Sequence, residues 1–477
     1  MPLYIVVAFL VLTLVVGIYF SRKKTTFREY AVGNKQFATA TLVATVLATT
    51  YGGGGLLRTV ECVHNLGLWW IVVVLLGSFG FWTISRLVLR MGSFMEHLSM
   101  AETIGSIYGS YPRIIAALVG ICNCIITVTM QINVISQAIS MSLGALDPLI
   151  MTVFATLFLI FYSSFGGIRA VTYTDVLQFL TFSVIIPLLA WFVFVRLGKP
   201  ITEMGSILQS ETKFQFSNLL QFNTKLFSIF LLLLSFMVDY IEPHIMQRVY
   251  MSSGPIQAQK VFLYATIFRF IIASFIVLVG LLVFVGAPNL SKSQVWGYII
   301  THLPPIFKGF ITLSLLAMTM STADSCLNAC SVMFSHDILR TLQNKKEISD
   351  SHQLKIARWT TLVVGLFAML LAFRCKDLLL LMYWSLDCAI PIVTAPFILA
   401  VFGFRGTCRT ALIGMATGLL TILAWNQFIE PSTGIDGSFI AMLANGLAMM
   451  AAHYLLKQPK SAGWVGPDSD FKQVQQE

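Results

Sequence analysis

One stretch of this chain differs in chemistry from the run that contains it. Met318-Thr319-Met320-Ser321-Thr322-Ala323-Asp324-Ser325 places five oxygen-bearing side chains within seven residues of an otherwise apolar segment. A small hard cation wants about five or six oxygen ligands. Hydroxyls and main-chain carbonyls supply them without adding full charges, by the logic of calcium and magnesium sites. Ser321 and Thr322 offer two adjacent hydroxyls. A lone hydroxyl pair in a helix bonds back to the preceding turn. Asp324 beside them changes the reading, because an acid inside an apolar span is costly and marks a functional site by default.

Main-chain carbonyls become available to an ion where a helix unwinds. Ala48-Thr49-Thr50-Tyr51-Gly52-Gly53-Gly54-Gly55 carries consecutive glycines, each about 1 kcal/mol less favourable than alanine in a helix. Close helix packing uses small residues four apart. A solid run suits that less well and points to unwinding near 48–51. Val238-Asp239-Tyr240-Ile241-Glu242-Pro243 is a second interruption, since proline removes a donor and disfavours helical geometry at the residue before it. The competing reading is that Glu242-Pro243 ends an ordinary helix.

The elements that position these residues are membrane helices. Of 477 residues 57% are hydrophobic and 11% are charged, against about 25% charged in soluble domains. That balance excludes a soluble enzyme, a disordered chain and a secreted disulfide scaffold. Thirteen apolar runs approach the roughly 20 residues that cross a bilayer, from 3–20 to 437–456, with a short tenth at 359–373. The first has no basic residue before it and Arg22, Lys23, Lys24 and Arg28 after it. This sets the N-terminus outside. Thirteen crossings then leave the C-terminus in the cytoplasm, and Arg86, Arg90, Arg113, Arg169, Arg248, Arg340, Lys355 and Arg405 fall on the cytoplasmic side, as the positive-inside rule asks. The net charge of +10 thus orients the chain and needs no nucleic-acid partner. The eight cysteines read as small apolar packing residues. A zinc site would want Cys-x2-Cys pairs beside histidines, and the sequence offers none.

Interrupted helices at matching places in two halves point to inverted repeats with a site at their interface. The expected organisation is a peripheral first helix and cytoplasmic loop (1–37), a five-helix repeat (38–197), an external loop with a second, inverted five-helix repeat (198–403), two peripheral helices (404–456) and a disordered cytoplasmic tail (457–477).

The residues also carry a resemblance. Tyr30-Ala31-Val32-Gly33-Asn34-Lys35, Ala48-Thr49 through Gly53, Gly166-Gly167-Ile168-Arg169 through Gln178, Gln247-Arg248-Val249 with Ser252-Ser253 and Ala258, and Ser321-Thr322-Ala323-Asp324-Ser325 followed by Ser335-His336-Asp337-Ile338 together resemble the sodium:solute symporter family over nearly the whole chain. The glycine run and the loop after the seventh span look most like the choline-transporter branch. Thr50 and Glu242 stand where that branch has tryptophans, so its aromatic cage for a quaternary ammonium is missing.

The resemblance implies a LeuT-type core with discontinuous second and seventh helices, in an all-α multi-pass protein of the plasma membrane. It implies a main sodium site made by the carbonyls of Ala48, Tyr51 and Met318 and the hydroxyls of Ser321 and Thr322. The family usually has alanine at the Met318 position. It further implies a second sodium set at Asp175, Asp324 and Ser325. The solute is expected near Thr50, Gly52, Gly53, Gln131, Asn133, Asp239 and Glu242, with Arg58 and Glu61 as an outer gate or a mutual ion pair. The expected activity is sodium-coupled import of a small polar organic solute by alternating access, with a monomer sufficient. Proton coupling through Asp175, Asp324 or Glu242 is the rival within transport. A membrane-embedded enzyme would need clustered acids with a metal, or a nucleophile with a base, near one membrane face, and the sequence shows neither.

Overall fold

The computed structural model describes residues 2–21, 26–142, 147–219, 224–239, 241–343, 349–459 and 462–465. Almost all of them are helical. Among the described residues, ten helices are long and apolar enough to cross a membrane, or up to twelve if each of two bent pairs is one span. The fifth of the expected runs is the shorter apolar helix Leu149–Ser164. Large apolar side chains such as Val11, Phe154, Trp191, Ile267 and Leu370 face outward, while Thr45, Asp175, Arg248, Ser321 and Asp324 are buried. That inversion is the arrangement a lipid solvent requires, with polar groups turned to the bundle interior.

The two bent pairs fall where the sequence is interrupted. Thr39–Thr50 and Gly53–Leu66 meet at 61°. Tyr51 leaves the helix at φ −84°, ψ 79°, and Gly52 is extended at φ −69°, ψ 148°. Only Gly52 lies in the break; Gly53, Gly54 and Gly55 begin the next helix. Gly53 serves close approach instead. A Cβ there would lie 2.7 Å from Thr319 Cγ2 and 2.9 Å from Val134 Cγ1. The glycine run therefore does both jobs that its sequence set in competition. The second pair, Leu226–Val238 and Pro243–Tyr250, is bent by 42°. Glu242 is extended (φ −109°, ψ 151°) and Pro243 opens the following helix, where its missing N–H costs nothing. Glu242-Pro243 thus starts a helix and does not end the span.

Span nine, Pro305–Val332, is the central post. Every residue from Ser314 to Val332 is buried, and its most extensive contacts are with Ser110–Ser142 and Pro148–Leu197. Between the fifth and sixth runs the chain turns at Gly167 (φ 57°, ψ −177°), where a Cβ would meet the Tyr30 ring at 2.7 Å. Two π-helical segments, Met333–Leu339 and Ile390–Thr394, have no counterpart in the sequence reading. Part of the tail expected to be disordered from 457 onward packs back on the bundle. Gly463 and Trp464 pair antiparallel with Arg405 and Phe404.

Candidate cation and solute site

Where span two breaks, the last bond of its ladder runs from Tyr51 N–H to Leu47 O, and the next carbonyl, that of Ala48, faces span nine. Ser321 Oγ lies 2.8 Å from Ala48 O and 3.0 Å from Met318 O, and Thr322 Oγ1 lies 3.1 Å from Met318 O. Four of the five expected donors are therefore one connected cluster. The fifth, Tyr51, sits at the break itself, where its ψ turns the carbonyl out of the helical direction. All five residues are buried. The donors are neutral oxygens, a set suited to a small monovalent cation, which needs coordination more than counter-charge. Met318 is wholly buried with its sulfur 4.0 Å from Ser314 Oγ, so the larger side chain is accommodated within the bundle.

The second expected set is brought together too, and it contains a resident cation. Asp175 Oδ2 accepts from Thr45 Oγ1 and lies 3.5 Å from Thr49 Oγ1 and 3.2 Å from Arg248 Nη2. Arg248 also donates to Ser325 Oγ, which lies 3.0 Å from Thr49 Oγ1. Asp324 Oδ2 accepts from Tyr162 Oη at 2.8 Å. Arg248 and Asp175 have no exposed side-chain surface. Thr45, Thr49, Tyr162 and the role of Arg248 are absent from the sequence reading. The motif Gln247-Arg248 was the available signal, because an arginine so close to a break has to find a buried partner. Its neighbour Gln247 donates to Ala31 O (2.6 Å) and Asn328 Oδ1 (2.9 Å), tying the first loop to spans seven and nine.

Two adjoining cavities, of about 150 and 180 Å³, share Thr50, Gly52, Gly55, Arg58 and Met382 in their walls. The larger adds Thr127, Gln131, Glu242, His244, Thr322 and Ser385. It therefore touches both breaks and one of the cation-site hydroxyls. Thr50, Gly52, Gln131 and Glu242, four of the expected solute residues, line this larger cavity together. Gln131 Oε1 is buried without a hydrogen-bond partner, and its amide is what a Cβ on Gly52 would strike, at 2.7 Å. Three expectations change. Gly53 lies against Thr319 and Val134 and lines neither cavity. Asn133 spends its amide on Cys375 O at 2.6 Å, because it faces another side of its helix from Gln131. Arg58 and Glu61 form no ion pair among the described residues. Arg58 instead lies over the Trp70 ring, 4.9 Å from its centroid, at the wall common to both cavities. The side chain of Asp239 lies outside the described residues.

A further cluster of polar groups is built on the π-helical segment Met333–Leu339 at the end of span nine. Asp337 accepts from Ser99 Oγ (2.6 Å) and pairs with Arg113 Nη2 (2.8 Å), and Glu102 Oε2 faces His336 Nε2 at 3.1 Å. Burial pushes the Glu102 carboxyl up, but His336, the Leu98 N–H and Arg113 outweigh it and hold it down at about 2. This cluster joins Met100–Tyr108 to Ser110–Ser142 and span nine at the end away from the cavities.

Residues 30–418 match the family model of the Sodium:solute symporter family. The "Sodium/sialic acid symporter SiaT" of Proteus mirabilis is 23% identical over 441 residues, 87% of either chain. "Sodium/proline symporter 2" of Staphylococcus saprophyticus is 26% identical over 181 residues, 36% of this chain and 35% of that one. Among solved structures, a Na+-coupled sialic acid symporter in its substrate-bound outward-open state superposes with a TM-score of 0.83 at 20% identity, covering 97% of this chain and 99% of that one. Mhp1, a nucleobase-cation-symport-1 family transporter, superposes with a TM-score of 0.61 at 11% identity over 90% and 96% of the two chains. At these identities the structural likeness is one of fold, and the fold is the LeuT type.

Proposed function

Because this chain belongs to the sodium:solute symporter family, a family of transporters and not of enzymes, we propose that it carries a small polar organic solute inward with sodium. The observation that supports this best is the joined oxygen cluster of Ala48, Met318, Ser321 and Thr322, placed against a cavity that Thr322 also lines. Sodium there ties the broken second span to span nine. This arrangement forms one wall of the solute cavity, so ion and solute favour the same state. Coupling needs no more than that reciprocal preference. We assign the sodium to this first cluster. At the second, Arg248 already supplies the positive charge facing Asp175, and that group acts as a fixed knot. Spans two to six and seven to eleven form the inverted repeats, with the N-terminus outside and the C-terminus in the cytoplasm of a cell whose plasma membrane holds the protein.

The cavity wall narrows the solute class. Arg58 presents a guanidinium, and Thr127, Gln131 and Ser385 present hydrogen-bonding groups. A guanidinium in a low-dielectric pocket selects a carboxylate. Sialic acid and proline, named for two of the relatives, are both carboxylates. Uptake of labelled carboxylate solutes into proteoliposomes tests the proposal. An inward sodium gradient alone should drive accumulation of at least one of them. Accumulation driven by a proton gradient without sodium overturns the sodium assignment.

A further inference from the structure

Cys124, His244 and Cys326 are far apart in the chain, and each cysteine alone reads as a packing residue. The fold brings them to one point. One ligand atom from each, two sulfurs and a ring nitrogen, lies within 4.8 Å of the others. Cys124 and Cys326 have no exposed surface and His244 has 2%. Cys330, one helical turn beyond Cys326, is buried against Cys124 as well.

Packing explains the sulfurs and leaves the imidazole unexplained. His244 Nε2 faces the Glu242 carboxylate at 3.2 Å, and its Nδ1 is buried with no hydrogen-bond partner. One ring nitrogen held by a carboxylate while the other is left over is how metal-bound histidines are oriented. We propose that Cys124, His244 and Cys326 form a binding site for a soft closed-shell cation of the zinc class. Sulfur and imidazole donors select such ions over the hard cation bound by the oxygen cluster. The charge balances in an apolar interior. Two S–H bonds break, two metal–sulfur bonds form, two protons leave to solvent, and the divalent ion with two thiolates is neutral. Metal–sulfur and metal–nitrogen bonds of about 2.3 and 2.0 Å need the side chains to draw in only slightly. His244 lines the larger cavity, which gives an ion a polar route to the site.

The three ligands come from different parts of the core. Cys124 is on Ser110–Ser142, Cys326 on Pro305–Val332, and His244 in the first turn of Pro243–Tyr250, just past the break. A metal would pin the broken seventh span to two unbroken helices. Transport by rocking those parts against each other then stops. This consequence rests on the transport reading above; the binding itself does not.

Purified full-length protein, kept reduced and metal-free, is titrated with Cd2+ and followed by its thiolate charge-transfer absorbance, with Zn2+ as competitor. The expected result is one equivalent bound, about 100-fold weaker in Cys124→Ser and in His244→Asn. A variant with Cys62, Cys122, Cys375, Cys388 and Cys408 replaced by serine should bind as the wild type does. Unchanged 22Na+ binding by Cys124→Ser establishes that this variant is folded. No stoichiometric absorbance band, or one that persists in Cys124→Ser, overturns the site. In proteoliposomes, micromolar Zn2+ should block sodium-driven uptake by the wild type and spare Cys124→Ser. Equal uptake by metal-loaded and metal-free wild type overturns the locking role. Sodium-independent uptake would instead refute the symport reading and leave the titration result standing.

Discussion

Replacing Arg248 with glutamine strips the charge from the partner of a buried carboxylate, and the cost follows from the geometry. Arg248 Nη2 lies 3.2 Å from Asp175 Oδ2, and neither side chain has exposed surface. At that distance and an effective dielectric constant of about 20, the attraction is about 5 kcal/mol. Breaking buried pairs by removing one partner costs about 3–5 kcal/mol. Thr45 and Thr49 remain beside the carboxylate, while Asp175 Oδ1 has no hydrogen-bond partner. We therefore expect Arg248→Gln to lose about 3 kcal/mol, toward the lower end of that range. Adding Asp175→Asn removes the orphaned charge, so the double variant should recover about 2 kcal/mol relative to the sum of the singles. The assay is the unfolding free energy of the four proteins in one mixed-micelle system, titrated with SDS at pH 8. A loss under about 1 kcal/mol for Arg248→Gln, or strict additivity in the double variant, refutes the reading of this pair as the knot of the bundle.

Three further outcomes follow from single features. Gly53→Ala places a methyl 2.7 Å from Thr319 Cγ2 and should cost about 1–3 kcal/mol by overpacking, whereas Gly55→Ala meets nothing within 4 Å and should be neutral or gain up to about 1 kcal/mol; the same SDS titration compares them. Glu102, held at about 2 against an ordinary 4.5, stabilises the folded state fully above about pH 4.5, and the gain is lost as pH falls through 2. The shift corresponds to about 3 kcal/mol. Thermal scans between pH 6 and 3 should therefore show Glu102→Gln losing less on acidification than the wild type. Arg58→Gln should weaken the half-saturating concentration of a carboxylate solute about tenfold or more, the worth of one charged hydrogen bond, with little change in sodium dependence; uptake kinetics in proteoliposomes read this.

Much of the architecture is legible in the chain because membrane physics leaves few options. Apolar runs near 20 residues must be helices, and the glycine run after Tyr51 and the Glu242-Pro243 pair both disfavour a continuous one, so both interruptions were visible in the sequence, while whether the second ended its helix was settled only by the fold. The oxygen cluster was legible for the same reason: Ser321, Thr322 and Asp324 have no apolar role in span nine. What escaped depends on rotation about a helix axis. Gln131 and Asn133 are two residues apart, which on a helix points them in different directions, and only one reaches the cavity. Arg58 and Glu61 are one turn apart, yet Arg58 finds Trp70 and not its neighbour. The Asp175–Arg248 pair and the Cys124–His244–Cys326 group join spans distant in sequence. Local pattern says at most that Arg248 needs a buried partner, not which residue that partner is. The π-helical turn at Met333–Leu339 was equally silent, since it differs from an ordinary helix by one residue per turn in hydrogen bonding and not in composition.

The central claim is that Ala48, Tyr51, Met318, Ser321 and Thr322 hold sodium, and direct ion binding tests it without knowledge of the solute. Equilibrium binding of 22Na+ to purified protein should be saturable in the wild type and in Asp175→Asn. It should fall to background in Ser321→Ala/Thr322→Ala, with that variant's folding verified by its SDS unfolding transition. Undiminished 22Na+ binding by the folded double variant would contradict the account.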